Sequence, residues 1–595
     1  MKQHNYSNKK ETSMKNWFII VIVFFGYINA QNPLIIPPAM TGNNFDLTLQ
    51  VSEMEFYPGV FTETMGVSFP ILGPTLIMEK GEEVNITFDN QLPDTTTIHW
   101  HGMHVPAEFD GGPHTPIPPN TLWNPHFTIK DHASTMWYHP HLMHKTNEHV
   151  QMGIAGFVIV KDDEEALLDL PREYGVDDIP LVFQTKTLNE NYQIVTNMDS
   201  SGLDTALFTN GTINAYLEAP AQVVRFRLLN GASERSFNVG LDNHETFYVI
   251  GTDGGLLEAP VEIDELLISP GERYEILVDL TNRVGEMIHI MNYGSSIPNG
   301  VYGAETVGGM GGSSIPYYAD NHLNGADFPL LSLHVGEQTA SPIYTIPSTL
   351  VSVDEWDPNE IDETRVIQFS PTVMGPNGAL NGPFQFNGEP FDINVVNYEI
   401  PLNNVEIWEL RNQSQISHPF HIHDVQFNIL EINGEAPPAH MQGWKDVVLV
   451  PPQNGTAKFI TKFEDFSNTE VPYMYHCHIL THEETGMMGQ FTVVGEPAVG
   501  IEAPKLLSEQ FTLHSAYPNP FNPTITLPFS VKSPHKVSIQ IFDISGQLVE
   551  SLFNDEIEAG NHTIKWNASH YASGVYILTL QSGNQVETQK LVLLK

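Results

Sequence analysis

Residues 475–487 read YHCHILTHEETGM, and they contain the only cysteine of the 595-residue chain. This cysteine, Cys477, stands between His476 and His478, and a further histidine and a methionine follow within ten residues. Successive side chains of a β-strand point to opposite faces. On a strand, Cys477 would face one way and its two neighbours the other, so the stretch predicts two metal sites joined by a few covalent bonds.

The donor atoms of this stretch differ in kind, because a thiolate, imidazoles and a thioether lie close together. Such a soft, mixed set is typical of a blue-copper site. A buried free thiol beside incidental histidines is the alternative. The further histidine pairs described below argue against that alternative.

The chain is strongly acidic, with 26 Lys and Arg residues against 71 Asp and Glu residues and a formal net charge of −45. Nucleic acids and anionic membranes are poor partners for such a surface, and neither is predicted. We interpret the acidity as a means of keeping an exported protein soluble, with attraction of cationic substrates as the alternative.

The first 30 residues predict a secretory signal peptide. Lys9, Lys10 and Lys15 precede the apolar run 17–28, Ala30 ends a plausible cleavage site, and Met14 is an alternative start. The run is too short for a comfortable membrane span and no later segment is long and apolar enough, so no membrane insertion is predicted. An exported chain with one cysteine has no disulfide framework, which indicates that the cysteine serves chemistry.

The predicted fold class is all-β, in sandwich-sized pieces. Apolar and polar residues alternate over 45–51 and 84–88, as they do in strands with one buried face. Long helical periodicity is absent, turn clusters are frequent, and the length predicts about four domains.

A strand-like segment recurs at 84–90, 224–230 and 406–412, which is an internal repeat. The first copy leads into HWH at 99–101 and the third into HPFHIH at 418–423, whereas the second leads into no histidine. The middle copy is therefore predicted to be a spacer without copper ligands.

A second repeat closes the first and third copies. Residues 138–141 read YHPH and residues 475–478 read YHCH, so Pro140 holds the place of Cys477 and only the later copy can host a thiolate site. The predicted organisation is a signal peptide, three related sandwiches and a different small C-terminal β unit, at about 1–30, 40–165, 175–340, 360–498 and 508–595.

Four His-x-His pairs occur in the chain, two in each outer sandwich: His99/His101, His139/His141, His421/His423 and His476/His478. Eight imidazoles suit three metal ions with two or three nitrogens each. Because the pairs divide evenly between the two sandwiches, the cluster is predicted to lie at their interface.

Three coppers beside a thiolate copper indicate one reaction class. Reduction of dioxygen to water takes four electrons, which four coppers can store and deliver together. The thiolate copper, reached through His418 and His482, would accept electrons singly from a substrate. The link from Cys477 to its flanking histidines would pass them inward.

The four histidine motifs resemble those of three-domain multicopper oxidases, and the similarity covers about residues 47–494. The resemblance implies three cupredoxin-like Greek-key β-sandwich domains and four copper ions, one type 1, one type 2 and two type 3. It also implies one-electron oxidation of a reducing substrate coupled to reduction of dioxygen. The ligands it implies are His418, Cys477, His482 and axial Met487 for the type 1 copper, and His99 and His421 for the type 2 copper. It implies His101, His139 and His478 for one type 3 copper, and His141, His423 and His476 for the other.

Two acids match family positions as well. Asp110 matches an acid beside the cluster, and Glu483 matches a carboxylate that relays protons to bound oxygen, a role that water formation requires. Ordinary solvation is the alternative for each.

Within the family, residues 418–446 are most similar to bacterial cuprous oxidases, spore-coat laccases and bilirubin oxidases. Cuprous oxidases carry a Met-rich insertion before the HPFHIH run, whereas Met374 is the only methionine in residues 366–397 here. Cuprous oxidases also carry an Asp and a Met just before that run, where residues 413–416 of this chain read QSQI. A methionine axial ligand implies a moderate potential, which suits phenols and aromatic amines. We therefore predict a laccase-like oxidase, with a cuprous or other metal-ion oxidase, a bilirubin-oxidase-like enzyme and a non-catalytic copper-binding protein as alternatives.

The tail resembles the C-terminal sorting domain of the type IX secretion system. The resemblance rests on AYPNPFNP at 516–523, FDISG at 542–546 and GVY at 574–576. It implies handling by the type IX machinery after passage through the periplasm, and a secreted or cell-surface location. A carbohydrate-binding module is the alternative.

Overall fold

The computed structural model describes residues 31–196, 204–308, 315–353, 356–373, 375, 378–495, 511–514, 516–531, 534–543, 548–582 and 585–595. The predicted signal peptide at 1–30, Met374, the linker after Gly500 and residues 544–546 of the tail motif lie outside the described residues. Within the described part, no helix has the length and apolar character needed to cross a bilayer.

Strands dominate the structure, which confirms the all-β prediction. The described residues up to 495 form one compact unit, and those from 511 form a second. The described α-helices are short: α1 (Thr146–Met152), α2 (Asp163–Ala166), α3 (Gly378–Asn381) and α4 (Leu480–Glu484).

The first sandwich follows a two-residue strand, β1 (Asn32–Pro33). Its strands are β2 (Ala39–Thr41), β3 (Asn44–Tyr57), β4 (Val60–Val67), β5 (Thr75–Glu79), β6 (Glu83–Asn90), β7 (His99–His101), β8 (Thr121–Trp123), β9 (His126–Thr128), β10 (Ser134–His139) and β11 (Gly156–Lys161). They form sheets of order β2-β5-β11-β10-β7 and β4-β3-β6-β8, and β9 pairs with β6. The alternation at 45–51 becomes β3, in which Phe45, Leu47 and Leu49 are buried.

The second sandwich consists of β12 (Asp178–Lys186), β13 (Ala206–Thr209), β14 (Ala215–Pro220), β15 (Val223–Asn230), β16 (Phe237–Leu241), β17 (Phe247–Thr252), β18 (Gly255–Ile263), β19 (Glu265–Ile268), β20 (Arg273–Asp279), β21 (Met287–Tyr293) and β22 (Asp327–Gly336). Its sheets have the orders β1-β14-β22-β21-β16-β19 and β13-β12-β15-β20-β17-β18. The turn between β19 and β20 matters for the site described below.

The third sandwich consists of β23 (Glu363–Pro371), β24 (Phe384–Phe386), β25 (Tyr398–Pro401), β26 (Val405–Asn412), β27 (His418–Ile422), β28 (Phe427–Ile432), β29 (Val447–Val450), β30 (Thr456–Lys462), β31 (Asn468–Cys477) and β32 (Met488–Val494). Its sheets have the orders β24-β23-β26-β30-β28 and β25-β32-β31-β27-β29. Buried apolar side chains, Trp408 and Phe420 among them, fill the space around Cys477.

The histidine strands pair in the same register in the first and third sandwiches. In the first, β7 and β10 are antiparallel and place His99 opposite His139. In the third, β27 and β31 are antiparallel and place His421 opposite His476. The repeat seen in the sequence is therefore a repeat of strand pairing, and it presents two pairs of histidines in each sandwich.

The C-terminal unit consists of β33 (Phe511–Leu513), β34 (Thr524–Val531), β35 (His535–Asp543), β36 (Leu548–Ile557), β37 (Gly560–Asn567), β38 (Gly574–Ser582) and β39 (Gln585–Leu593). They form sheets of order β33-β34-β37 and β36-β35-β38-β39. Apolar residues at alternate strand positions, such as Ile525, Leu527 and Phe529, are buried between the two sheets. The predicted small β-sandwich is confirmed.

Candidate metal centre

All eight paired histidines meet in one buried cluster formed by the first and third sandwiches. The ring of His99 stacks on that of His423, and the ring of His101 stacks on that of His421, each with centroids 3.7 Å apart. Each stack joins one histidine of each sandwich. None of the eight side chains has more than 1 % of its surface exposed, so water is largely excluded from this histidine cluster.

Imidazole nitrogens converge inside the cluster. His476 Nε2 lies 3.0 Å from His141 Nε2 and 3.3 Å from His423 Nε2. His139 Nε2 lies 3.4 Å from His101 Nδ1. The side chains with ligand atoms within 4.8 Å of one another form three all-histidine groups: His99/His101/His139, His99/His421/His423 and His141/His423/His476.

Most of these rings are fixed by a hydrogen bond from the nitrogen that points away from the centre of the cluster. The outward Nδ1 atoms contact carbonyl or carboxylate oxygens: His99 with Asp110 O at 2.9 Å, His139 with Pro140 O at 2.8 Å, His421 with Asp446 O at 2.9 Å, His423 with Asp110 Oδ2 at 2.8 Å, and His476 with Cys477 O at 3.1 Å. A ring that donates its outer N–H to an oxygen presents a bare inner nitrogen. This arrangement is the usual support of metal-binding histidines.

Two further observations show that the residues fit metal ions. The Nε2 atoms of His99 and His421 and both nitrogens of His478 are buried without a hydrogen-bond partner, although buried polar atoms normally have one. Burial also lowers the pKa of the rings, well below 6.5 for His101, His139, His141, His421 and His476, and to about 4 for His423 and about 3 for His478. Neutral imidazoles are the form that binds metals.

A second group lies on the other face of β31. Cys477 Sγ is 3.4 Å from His418 Nδ1 and 3.7 Å from His482 Nδ1. His418 Nε2 is held by Ser414 Oγ at 2.8 Å. We call His418, Cys477 and His482 the thiolate site. Burial raises the pKa of the Cys477 thiol, so a cation beside it is needed to favour the thiolate.

Met487 is fully buried in the same apolar core. Its backbone carbonyl accepts the Cys477 N–H at 3.1 Å, and its own N–H donates to His482 O at 2.9 Å. The loop that carries Met487 is thereby tied to two members of the thiolate site. Alternation along β31 thus separates the thiol from the flanking His476 and His478, as the sequence predicts.

The two acids singled out in the sequence both touch the histidine cluster, and their charge states differ. Although burial acts to raise it, the pKa of Asp110 falls below its ordinary value because His423 and His99 attract its carboxylate. Burial, reinforced by the charge of Glu484, raises the pKa of Glu483 well above its ordinary value. Glu483 Oε2 lies 3.3 Å from His476 Nδ1 and Oε1 lies 3.6 Å from His141 Nδ1. Asp110 therefore favours its ionised, accepting form, and Glu483 favours its protonated form.

Sequence reasoning missed several residues that touch these groups. Asp446 holds His101 and His421, Arg273 holds Asp446, and Ser414 holds His418. Residues 443–446 and 413–416 were distinctive in the sequence, but no role followed from them. Arg273 carries no local signal, because its contact with Asp446 spans 173 residues of chain.

A Cys-His-His group with a nearby methionine, linked through one strand to an eight-histidine cluster between β-sandwiches, defines a copper protein with more than one copper site. Family models described as "Multicopper oxidase" match residues 48–165, 177–299 and 360–496. The chain belongs to the multicopper oxidase family. It is therefore a copper-binding oxidoreductase that uses oxygen as electron acceptor.

Similar proteins carry several names. A "Multicopper oxidase mco" of Staphylococcus epidermidis is 32% identical over 458 residues, which is 76% of this chain and 88% of the relative. The "Cell division protein FtsP" of Escherichia coli is 29% identical over 469 residues, 78% of this chain and 93% of that protein.

Solved structures are similar over most of the chain as well. A laccase-like multicopper oxidase, CueO, from Ochrobactrum sp., described as active towards lignin model compounds and lignosulfonate, has a TM-score of 0.68 and 32% identity, covering 78% of this chain and all of that one. A multicopper oxidase from Campylobacter jejuni, described as a metallo-oxidase, has a TM-score of 0.65 and 25% identity, covering 78% of this chain and 96% of that one.

The tail matches a family model described as "Secretion system C-terminal sorting domain" over residues 515–594. This match indicates export to a secreted or cell-surface location.

Proposed function

We propose that the protein is a laccase-like oxidase that couples one-electron oxidation of phenols or aromatic amines to four-electron reduction of dioxygen to water. It would hold four coppers: one type 1 copper at His418, Cys477, His482 and Met487, one type 2 copper at His99 and His421, and two type 3 coppers at His101, His139 and His478 and at His141, His423 and His476. The three histidine groups and the separate thiolate site support this count.

Bound copper would supply one-electron redox chemistry and the binding of dioxygen. The chain supplies the rest. Its strands set the ring orientations, and burial lowers the pKa of seven of the eight rings, which favours their neutral form. The backbone on either side of Cys477 links the two sites through the fewest bonds. Glu483 lies within 3.6 Å of two cluster rings, and its burial favours the protonated form, so it would supply a proton where water formation needs one. Asp110 stays ionised and orients His423 through Oδ2.

The surroundings of His482 support an aromatic compound as the electron donor. His482 is 7 % exposed, whereas His418, Cys477 and Met487 are fully buried. The rings of Phe384 and Tyr302 lie 4.7 Å and 6.0 Å from the His482 ring. His482 is therefore the ligand of the thiolate site that a donor could reach, and an aromatic donor there would lie near Tyr302, where offset or edge-on aromatic contacts are favourable.

The segment before the HPFHIH run supports the same choice. In cuprous oxidases an Asp and a Met stand here. In this chain Ile416 is buried in the core and Ser414 is occupied in holding His418. These positions are used for packing and positioning, which leaves them unsuited to binding a soft Cu(I) ion.

The relatives support two candidates. The Ochrobactrum enzyme acts on lignin model compounds, which favours the laccase-like proposal. The Campylobacter jejuni enzyme is a metallo-oxidase, which favours oxidation of metal ions as the second candidate. A bilirubin-oxidase-like activity is a third. The relatives named for cell division show that similar chains carry other names, and a non-catalytic copper-binding role is the alternative of a different class.

Oxygen uptake by one copper-loaded preparation, measured with a phenol, an aromatic amine, Cu(I) and bilirubin, tests the proposal. We expect the phenol or amine to give the highest kcat/KM. A higher value with Cu(I) or bilirubin would transfer the assignment to that candidate, and no uptake with any donor would favour a non-catalytic role. Elemental analysis should give four coppers per chain.

We further propose that the unit limits are 40–165, 175–340, 360–498 and 508–595, and that the type IX machinery exports the protein from the periplasm after cleavage of residues 1–30. Deletion of residues 508–595 should leave an active oxidase in the periplasm. Equal export of the truncated and full chains would contradict this role of the tail.

A further inference from the structure

The middle sandwich reaches the histidine cluster although it contributes no histidine to it. The contact comes from the turn between β19 and β20 and from Arg273, the first residue of β20. The Arg273 side chain is fully buried. Its Nη1 donates to Asp446 Oδ1 at 2.6 Å and its Nη2 donates to Asp446 Oδ2 at 2.5 Å. This two-pronged pair is the geometry in which arginine fixes a carboxylate most firmly.

Asp446 in turn holds one histidine from each outer sandwich. Its Oδ1 accepts a hydrogen bond from His101 Nε2 at 3.1 Å, and its backbone carbonyl accepts one from His421 Nδ1 at 2.9 Å. These two histidines are the pair whose rings stack at 3.7 Å. The position of one carboxylate therefore sets the orientation of His101, and the same residue sets that of His421.

The remaining N–H groups of Arg273 are all used. Nη1 donates to Gly271 O at 3.0 Å, Nη2 to Asp253 O at 3.0 Å, and Nε to Thr135 O at 3.1 Å. With the two bonds to Asp446, all five donors of the guanidinium have acceptors. The acceptors come from all three sandwiches, so the side chain has one defined place relative to the cluster.

Two glycines leave the space that this arrangement requires. A Cβ on Gly102, directly after His101, would lie 2.4 Å from Arg273 Nη2 and 2.6 Å from Asp446 Oδ2. A Cβ on Gly271 would lie 2.9 Å from the ring of His478. Both glycines have positive φ, +90° and +87°, a conformation that other residues rarely adopt. The turn of the middle sandwich thus lies against a third histidine of the cluster.

We propose that Arg273 is a positioning residue of the histidine cluster, acting through Asp446 on His101 and His421. The inference rests on the proposed copper ligands. A carboxylate that orients a metal-binding histidine changes metal affinity by roughly 10- to 100-fold when it is lost. A lysine could supply charge but not the planar fork, so the geometry of the guanidinium is what the cluster uses.

Arg273 could instead be only an ion pair that joins sandwiches, and the chain offers a matched control for that reading. Arg225 on β15 is also buried in the middle sandwich and donates to Glu275 at 2.9 Å and to Glu165 at 2.8 Å. Those carboxylates bond further to Arg227, Thr135 and Arg172 rather than to a cluster histidine. Its loss should cost stability without touching the copper ligands.

The experiment compares R273Q, R273K, R225Q and H421A as full-length, copper-loaded proteins. The readouts are copper bound per chain against a competing chelator, the electron paramagnetic resonance spectrum, the blue absorption of the thiolate site, and the midpoint of thermal unfolding. We expect R273Q to keep the blue absorption, to release copper from the histidine cluster at roughly 10- to 100-fold lower chelator concentration, and to change the resonance of the copper held by His99 and His421. The copper retention of R273K should lie between that of R273Q and that of the parent. R225Q should lose thermal stability but keep its copper.

Parent-like copper retention and resonance in R273Q, or copper release by R225Q equal to that of R273Q, would overturn the proposal. If R273Q does not fold, the comparison passes to R273K, for which parent-like copper retention would overturn it. H421A separates the two levels of inference. Unchanged copper in H421A would refute the ligand assignment itself, whereas copper loss in H421A with none in R273Q would refute only the role of Arg273.

Discussion

The first and third sandwiches carry the same pair of histidine strands, yet only one of them holds a thiol. In both, the ring of the first histidine in the closing strand contacts the next carbonyl, at Pro140 in one and at Cys477 in the other. In both, a tyrosine lies opposite a glycine, Tyr138 with Gly156 and Tyr475 with Gly489. The shared backbone serves imidazole ligands equally well in the two sandwiches.

The difference lies in what surrounds the central residue of that strand. Cys477 N–H donates to Met487 O, whereas Pro140 has no N–H and cannot make the equivalent bond. Three residues before the first histidine of the partner strand, the third sandwich has His418 and the first has Thr96. Thr96 Oγ1 contacts His149 Nδ1 at 3.0 Å. The first sandwich therefore has a hydrogen-bonded threonine at the position where the third sandwich has a candidate metal ligand.

Replacing Cys477 with serine breaks this difference and should have the largest effect. Serine offers no thiolate, so C477S should lose both the blue absorption and turnover while the histidine cluster keeps its copper. Visible absorption, oxygen uptake and copper analysis on one preparation test this.

The control is P140A at the matching position. Pro140 contributes a carbonyl that alanine retains, so P140A should keep the blue absorption. Residual turnover in C477S, or loss of the blue absorption in P140A, would contradict the distinction between the two strands.

Glu483 sharpens the comparison, because the equivalent position of the first sandwich is Thr146. A carboxyl whose pKa is raised by burial can give up a proton below that pKa and loses this ability as the pH rises through it. E483Q should lower kcat by roughly 10²- to 10⁴-fold at neutral pH and remove the alkaline fall from the pH profile of oxygen uptake.

The neighbour Glu484 provides the matched variant. Its charge helps to raise the pKa of Glu483, so E484Q should lower that pKa and move the alkaline fall to lower pH without removing it. An alkaline fall that survives unchanged in E483Q would assign it to another group.

The strands, the two histidine pairings and the separation of thiol from cluster could be predicted, because alternation and repeats are local in the sequence. The role of the middle sandwich could not. It contains no histidine motif, and its contact with the cluster includes Arg273 and Gly271, which the packing of sandwiches brings there. The sequence predicts only a spacer here, because a sandwich without histidine motifs has the same sequence pattern whether or not it contacts the cluster.

The paired glycines give a test of the shared backbone. A Cβ on Gly156 or on Gly489 would lie 2.2 Å from the Cζ atom of Tyr138 or Tyr475. G156A and G489A should each lower stability by about 1–3 kcal/mol, as overpacking does, seen as similar falls in the midpoint of thermal unfolding. G574A is the control, because nothing lies within 4 Å of its Cβ position. Parent-like unfolding of either variant would show that the two strand pairs are not packed alike.

The smallest effect is expected from removing the hydroxyl groups of Ser414 and Thr96, each of which contacts a buried histidine. Ser414 Oγ accepts from His418 Nε2, which leaves Nδ1 facing Cys477 Sγ at 3.4 Å. S414A and T96A should each cost about 0.5–1.5 kcal/mol, the usual net value of one hydrogen bond. Only S414A frees a ligand of the thiolate site to rotate, so only S414A should shift the blue absorption and loosen that copper. An equal shift in T96A would mean that the absorption reports general loosening of the core. It would contradict the distinction between a metal-binding residue at position 418 and a hydrogen-bonded residue at position 96.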